Sequence, residues 1–304
     1  MTPKLDKELL PQEVISELCR YEGAGALSES LKKRKELLSP AAVEQLTEAV
    51  RLRVRVDVEE ALRLAEAALA IARELSSAES LGRGFRAKAN ALWFKGNCKE
   101  AVDLFETAIG HFEAAGRADE VGRTLSSSIQ SLALLGEYKR AFRAAERARD
   151  IFLCLGDYWR LARVELNAAN IHHRQDRFAD ALSSYQRAYE QLLPYKDAEA
   201  FGGALHNMAV CHIMLNDFNR ALGCYSKARE LCEQNSMPLL VTQADYNIAY
   251  LYFLRGDYQK AIESLRNTRQ LCRRNGDRYH AALCDLDESE IYLELNLTDE
   301  AARM

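Results

Sequence analysis

Apolar residues along this chain recur at helical spacing, as in Ile151, Phe152, Cys154 and Leu155. No segment alternates with the two-residue period of a half-buried strand. The apolar-periodic segments run about 16–18 residues between punctuating residues, so the pattern predicts helices throughout. The segments also repeat. A short motif reads KGNCKEA (95–101), LGEYKRA (135–141), QDRFADA (175–181), NDFNRA (216–221), RGDYQKA (255–261) and LNLTDEA (295–301). Its last alanines, Ala101, Ala141, Ala181, Ala221, Ala261 and Ala301, are each 40 residues apart, and VDVEEA puts Ala61 in the same frame. Ala68, Ala108, Ala148, Ala188 and Ala228 recur seven residues further on. Phe105, Tyr185 and Tyr225 stand between the two alanines, where Ala145 and Leu265 are exceptions.

Each motif carries one residue suited to left-handed backbone: Gly96, Gly136, Asp176, Asn216, Gly256 and Asn296. Gly, Asn and Asp tolerate the conformation that closes a helix, so each motif reads as helix, tight turn, helix. Gly116, Gly156 and Gly276 form a second set, where one pair should end and the next begin. The alanines of the second helices have small counterparts on the first helices at Ala89, Ala169, Ala209, Ala249 and Ser289, with Ile129 as an exception. Small residues facing each other let two antiparallel helices approach closely. One such pair cannot bury its apolar face alone, so neighbours must stack.

Composition narrows the function classes. The chain has 304 residues, 48% hydrophobic, a net charge of -4, and only 15 Gly and 5 Pro. A length near 300 suggests two domains in an ordinary globular protein, but the repeat frame replaces that with one array over 42–304. A basic footprint for nucleic acid is absent from the overall balance. No apolar run reaches the roughly 18 residues needed to span a bilayer, and MTPKLDKELLPQE lacks a secretory h-region. Eight Cys without any C-x-x-C, and without a leader, read as free buried thiols of a cytoplasmic protein. No phosphate-binding glycine loop, G-x-S-x-G or H-E-x-x-H occurs, so no catalytic residue, metal or cofactor is expected. Adjacent His172 and His173 point in different directions on a helix and read as interhelix contacts rather than a metal site. The basic runs 32–35 and 51–55 are diluted by acids and read as solvated helix faces.

The turn residue, the aromatic two after it (Tyr138, Phe178, Phe218, Tyr258) and the Ala–aromatic–Ala ladder together resemble the tetratricopeptide repeat. The unit length of 40 is similar to the long-helix branch seen in kinesin light chains, Pins-type adaptors and bacterial signalling proteins. The resemblance implies an all-α fold, a right-handed superhelical solenoid of antiparallel helix pairs. It would comprise about six and a half repeats: 42–81, 82–121, 122–161, 162–201, 202–241, 242–281 and a partial 282–304. Residues 1–41 would form capping helices around 8–20 and 26–37.

The resemblance also implies a ligand groove lined by the first helices. Carried over position by position, its candidates are Arg83, Arg86, Asn90 and Trp93, then Arg123, Ser127 and Gln130. Arg163, Asn167, Asn170 and His173 follow, then His206 and Asn207. Gln243, Tyr246, Asn247, Tyr250 and Phe253 come next, and Asp287 and Glu290 complete the row. Asn167, Asn207 and Asn247 share one position in three successive units. An amide can pair with both N–H and C=O of an extended peptide, so the row suits backbone recognition, or else it bonds neighbouring helices. Arg83, Arg86, Arg123 and Arg163 suit an acidic segment, because the guanidinium fork matches carboxylates. The alternative pairs them with acids such as Glu120. A carboxylate clamp of the kind some relatives use is matched by Arg86, Asn90 and Arg163, while Ser127 and Asn167 depart from it.

The expected function is therefore a non-catalytic scaffold or sensor that binds a protein or peptide segment. A peptide-pheromone sensor is a narrower version. A separate possibility is the N-terminal regulatory region of a larger bacterial enzyme, such as a caspase-like CHAT peptidase with its catalytic domain beyond residue 304. The chain stops just inside a second helix, which predicts either a continuation or self-association through that open end.

Overall fold

The computed structural model describes Arg34, residues 37–195 and residues 197–304. The helices expected around 8–20 and 26–37, and Cys19, fall essentially outside these residues. Among the described residues the regular structure is helical. The described residues divide into two units, unit 1 ending at Ile171 and unit 2 beginning at His172.

Unit 1 contains α1 (Pro40–Arg53), α2 (Val58–Leu75), α3 (Ala78–Lys95), α4 (Cys98–Ala114), α5 (Ala118–Leu134) and α6 (Tyr138–Leu155). The helix α7 (Tyr158–Arg174) follows, and the boundary between units falls within it. Unit 2 contains α8 (Phe178–Leu192), a short 3-10 turn (Leu193–Tyr195), α9 (Ala198–Met214), α10 (Phe218–Gln234), α11 (Pro238–Leu254), α12 (Tyr258–Asn275), α13 (Arg278–Glu294) and α14 (Thr298–Ala301).

The turns form as the sequence predicts. Gly96, Gly136, Asp176, Asn216, Gly256 and Asn296 all have φ between 57° and 91°. At the first of these the Asn97 N–H reaches back to the Leu92 carbonyl at 2.9 Å, closing the last turn of α3. Gly116, Gly156 and Gly276 are left-handed too. So are Ser76 and Ser236, in the same frame, which the glycine pattern did not reveal. Helix starts are held by side chains: Asp57, Asp197, Asp217 and Asp277 each accept a backbone N–H from the first turn of their helix.

The frame alanines Ala61, Ala101, Ala141, Ala181, Ala221 and Ala261 are all fully buried, as are Ala89, Ala169, Ala209 and Ala249 opposite them. Phe105, Tyr185 and Tyr225 fill the wedge between pairs, and all three are buried. A second size trade runs along the stack. A Cβ on Gly82 would lie 2.8 Å from the Phe112 ring, and one on Gly122 would lie 2.9 Å from the Phe152 ring. In the same frame Gly202 faces the smaller Cys232, whose sulfur would be 3.6 Å away.

Consecutive pairs are also joined by a recurring ion pair. Arg149 Nε lies 2.6 Å from Glu165, Arg229 Nε 2.5 Å from Asp245, and Arg269 Nη1 2.5 Å from Asp285. Each links a second helix to the first helix that follows.

In unit 1, α1 touches α3 and α3 touches α5; in unit 2, α11 touches α13. The side of each unit on which first helices meet is its inner face.

Four of the described cysteines are buried thiols: Cys211, Cys232, Cys272 and Cys284. Cys98 and Cys224 are half-buried, and Cys154, expected inside, is exposed. It occupies the outward side of the last turn of α6, beside the equally exposed Leu153 and Leu155. Among the described residues no helix is long and apolar enough to cross a membrane.

Candidate functional site

In unit 1 the arginines of the inner face converge on a carboxylate. Glu120 stands in the first turn of α5 with its side chain only 2% exposed. Arg86 of α3 donates to its Oε2, Arg123 donates to Oε1 at 3.0 Å, and Arg83 lies 3.3 Å from Oε1. Arg83 also binds Glu79 at 2.9 Å, and Arg117 joins Glu79 and Asp119. Arg86 in addition covers the Phe112 ring at 5.0 Å. Burial pushes the Glu120 carboxyl up, but the charges of Arg86, Arg123 and Arg83 outweigh it and hold the group below the usual carboxylate range. Burial pulls the Arg86 guanidinium down to about 10, which leaves it charged at neutral pH. The pairing with Glu120, weighed as the alternative for these arginines, is what Arg83, Arg86 and Arg123 make, and Glu120 is the buried centre of the cluster. Its frame-mates Ser80, Arg160, Ala200, Leu240 and His280 share no chemistry, so repetition gave no signal for it.

Further along the inner face of unit 1, Arg163 lies over the Trp159 ring at 5.1 Å. Gln130 Nε2 donates to Asn167 Oδ1 at 3.4 Å. Asn167 Nδ2 in turn donates to the backbone carbonyl of Ser126 at 3.2 Å and to its hydroxyl at 3.1 Å. Asn90, Trp93 and Asn170 are half-buried on the same helices.

Unit 2 carries a different inner face. Asn247 Nδ2 on α11 donates to Nδ1 of His206 on α9 at 3.2 Å. Burial, with a smaller push from His173, holds His206 below the ordinary histidine value. Tyr246 lies 6.2 Å from Tyr250 and 5.6 Å from His280, ring centre to ring centre, and Tyr250 lies 6.0 Å from Phe253. Burial, with Asp287 of α13 adding to it, pushes the Tyr246 hydroxyl above the ordinary tyrosine value. Asn207 and Gln243 are half-buried beside these residues.

The Asn row is therefore a set of rungs. Asn167 reaches Ser126 and Asn247 reaches His206, and both partners stand 41 residues earlier. Asp287 is next in that frame, and Tyr246 stands at the same offset from it. The interhelix alternative weighed for the Asn row is what Asn167 and Asn247 do with their amide nitrogens. The candidates thus gather as two clusters, Arg83–Arg86–Arg123 around Glu120 and His206–Tyr246–Asn247–Tyr250 beside Asp287.

No family model matches the chain, and no curated protein sequence matches it. Solved structures do. A signal transduction ATPase with numerous domains carrying a tetratricopeptide repeat sensor, from Pyrococcus horikoshii, superposes with a TM-score of 0.66 at 15% identity, over 97% of this chain and 46% of that one. This chain thus spans less than half the length of that protein. Aspartyl phosphate phosphatase F from Bacillus subtilis gives 0.62 at 16% identity, over 96% and 85% of the two chains. A Rap protein complexed with competence and sporulation factor gives 0.58 at 15%, over 96% and 95%. The fold is that of a tetratricopeptide-repeat array. At these identities the likeness shows the fold, and the chemistry of the site rests on this chain's own residues.

Proposed function

We propose that this array is a non-catalytic module that binds a protein or peptide segment across the inner face of unit 2. The observation that carries this reading is the cluster of Tyr246, Tyr250 and Phe253 on one helix, beside half-buried amides at Asn207 and Gln243. Aromatic anchors flanked by adaptable polar groups are what a recognition surface needs. The neighbour solved with competence and sporulation factor supports the same reading. Unit 1 is the less suitable half for an acidic partner, because its arginines already face Glu79, Asp119 and Glu120.

The test is selection from a random peptide library on the full chain. Selected peptides should lose about tenfold in affinity when Tyr250 and Gln243, both accessible, are changed together to Ala. A library without enrichment, or binding unchanged in the double variant, overturns the proposal.

A second reading is that the array is the sensor region of a larger signalling enzyme, a CHAT-type peptidase or a signalling ATPase. The neighbour with a tetratricopeptide sensor favours it, since 97% of this chain aligns with only 46% of that protein. Sequencing the transcript past codon 304 decides it: an open frame into a catalytic domain supports this reading, and an immediate stop removes it.

A further inference from the structure

Three acids are buried among the described residues: Glu120, Asp287 and Glu288. Two of them are answered by arginines. Glu120 has the cluster described above. Glu288 receives Arg266 Nε at 2.7 Å, Arg269 Nη1 at 3.0 Å and the Tyr292 hydroxyl at 3.0 Å. Asp287 is only 5% exposed, yet its Oδ2 has no hydrogen-bond partner. The charge that acts on it is another acid, Glu290, one turn further along α13.

The repeat frame shows what this carboxylate is not needed for. The rung position is held by Asn at 167, 207 and 247, and Asn167 and Asn247 make their rungs with a neutral amide. At 287 the same place in the frame carries a carboxyl group. A rung needs no charge, and a buried charge without a counter-ion is costly. The surroundings supply the rest of a cation site. Tyr246 and Tyr250 stand one turn apart on α11 with ring centres 6.2 Å apart, and Asp287 and Glu290 stand one turn apart on α13, which touches α11. Tyr250 and Glu290 are exposed and form the rim above the buried Asp287 carboxyl. Aromatic faces with a carboxylate are the complement of an ammonium or guanidinium group.

We infer that Asp287, Glu290, Tyr246 and Tyr250 form a subsite for one basic side chain, Lys or Arg, of a bound peptide segment. The inference rests on the peptide-binding reading above and adds the sign of the ligand's charge. It places on unit 2 a partner opposite in charge to the acidic segment that the unit 1 arginines suggested from sequence.

The test uses the full chain and a library of short peptides, acetylated and amidated at their ends. The central position is Arg, Lys, Gln, norleucine or Glu, and a parallel set has a free N-terminus. Arg and Lys members should bind about tenfold or more tighter than Gln, norleucine and Glu members. The preference should vanish in Asp287→Asn, which installs the residue the chain itself uses at this rung. It should weaken in Glu290→Gln, an exposed position whose change leaves folding intact even if Asp287→Asn unfolds. Binding of library peptides with no preference for Arg or Lys overturns the subsite alone and leaves the peptide-binding reading standing. A preference unchanged in both variants does the same, as does a gain that follows the free N-terminus rather than the central residue. Absence of binding by every member, including peptides selected from the random library, overturns both.

Discussion

The side-chain amide nitrogen of Asn247 lies 3.2 Å from Nδ1 of His206, the residue 41 positions earlier, and Asn167 has the same relationship to Ser126. The two amides tie consecutive first helices together, so removing one leaves a half-buried partner unsatisfied. Asn167→Ala and Asn247→Ala should each cost about 1 kcal/mol of stability, read from the shift in urea midpoint. A loss of peptide binding in Asn247→Ala with an unchanged midpoint would mean that the amide serves the ligand instead.

Packing predicts a sign change along one frame. Gly82→Ala and Gly122→Ala place a methyl against Phe112 and Phe152, inside 3.0 Å, and should destabilise by about 1–3 kcal/mol. Combining Gly82→Ala with Phe112→Leu should recover part of that loss in a double-mutant cycle. Gly202→Ala meets Cys232 at an ordinary 3.6 Å within helix α9 and should be neutral or stabilising by up to about 1 kcal/mol.

Acid should act on the two units with opposite sign. Burial raises Glu120, but Arg86, Arg123 and Arg83 bring it below its unfolded value. Its contribution is therefore present above the unfolded pKa, near 4.3, and is lost as pH falls through the lower folded one. Burial raises Asp287, Tyr246 opposes this, and Glu290 adds to it. Its ionised form costs stability at neutral pH, and that cost is relieved as pH falls through the raised value. Hydrogen exchange followed from pH 7 downward should show α3–α5 losing protection below about pH 4, with α11–α13 gaining protection first. Asp287→Asn should protect α11–α13 at pH 7 and abolish the gain.

Removing the Glu120 charge is the harsher change. Glu120→Ala leaves Arg86, whose side chain is 12% exposed, without its counter-ion and should cost about 3–5 kcal/mol. A midpoint shift equivalent to less than about 1 kcal/mol would show that water replaces the carboxylate easily.

Thiol chemistry should separate Cys154 from the buried cysteines. Burial pushes Cys211 up to about 11 and Cys284 up to about 12, so neither offers thiolate or access at neutral pH. Brief maleimide treatment of the native chain, followed by peptide mass spectrometry, should label Cys154 and leave Cys211 and Cys284 unlabelled until denaturant is added. Equal labelling of all three would contradict their burial.

The helices, their 40-residue frame, the left-handed turns and the small residues between paired helices were legible in the order of residues alone. These depend on local backbone preference and on periodic apolar positions, both of which are written in neighbouring residues. Ser76 and Ser236 escaped that reading because serine seldom takes left-handed backbone, so only the frame could have pointed to them. The recurring Arg149–Glu165, Arg229–Asp245 and Arg269–Asp285 pairs carried a periodic signal that a search for groove residues passes over. Which side chain meets which was decided by the tertiary structure. Glu120 gathers arginines from two helices, and Asp287 is left without any, because stacking sets neighbours 34 to 41 residues apart and buries some carboxylates with cations and others without.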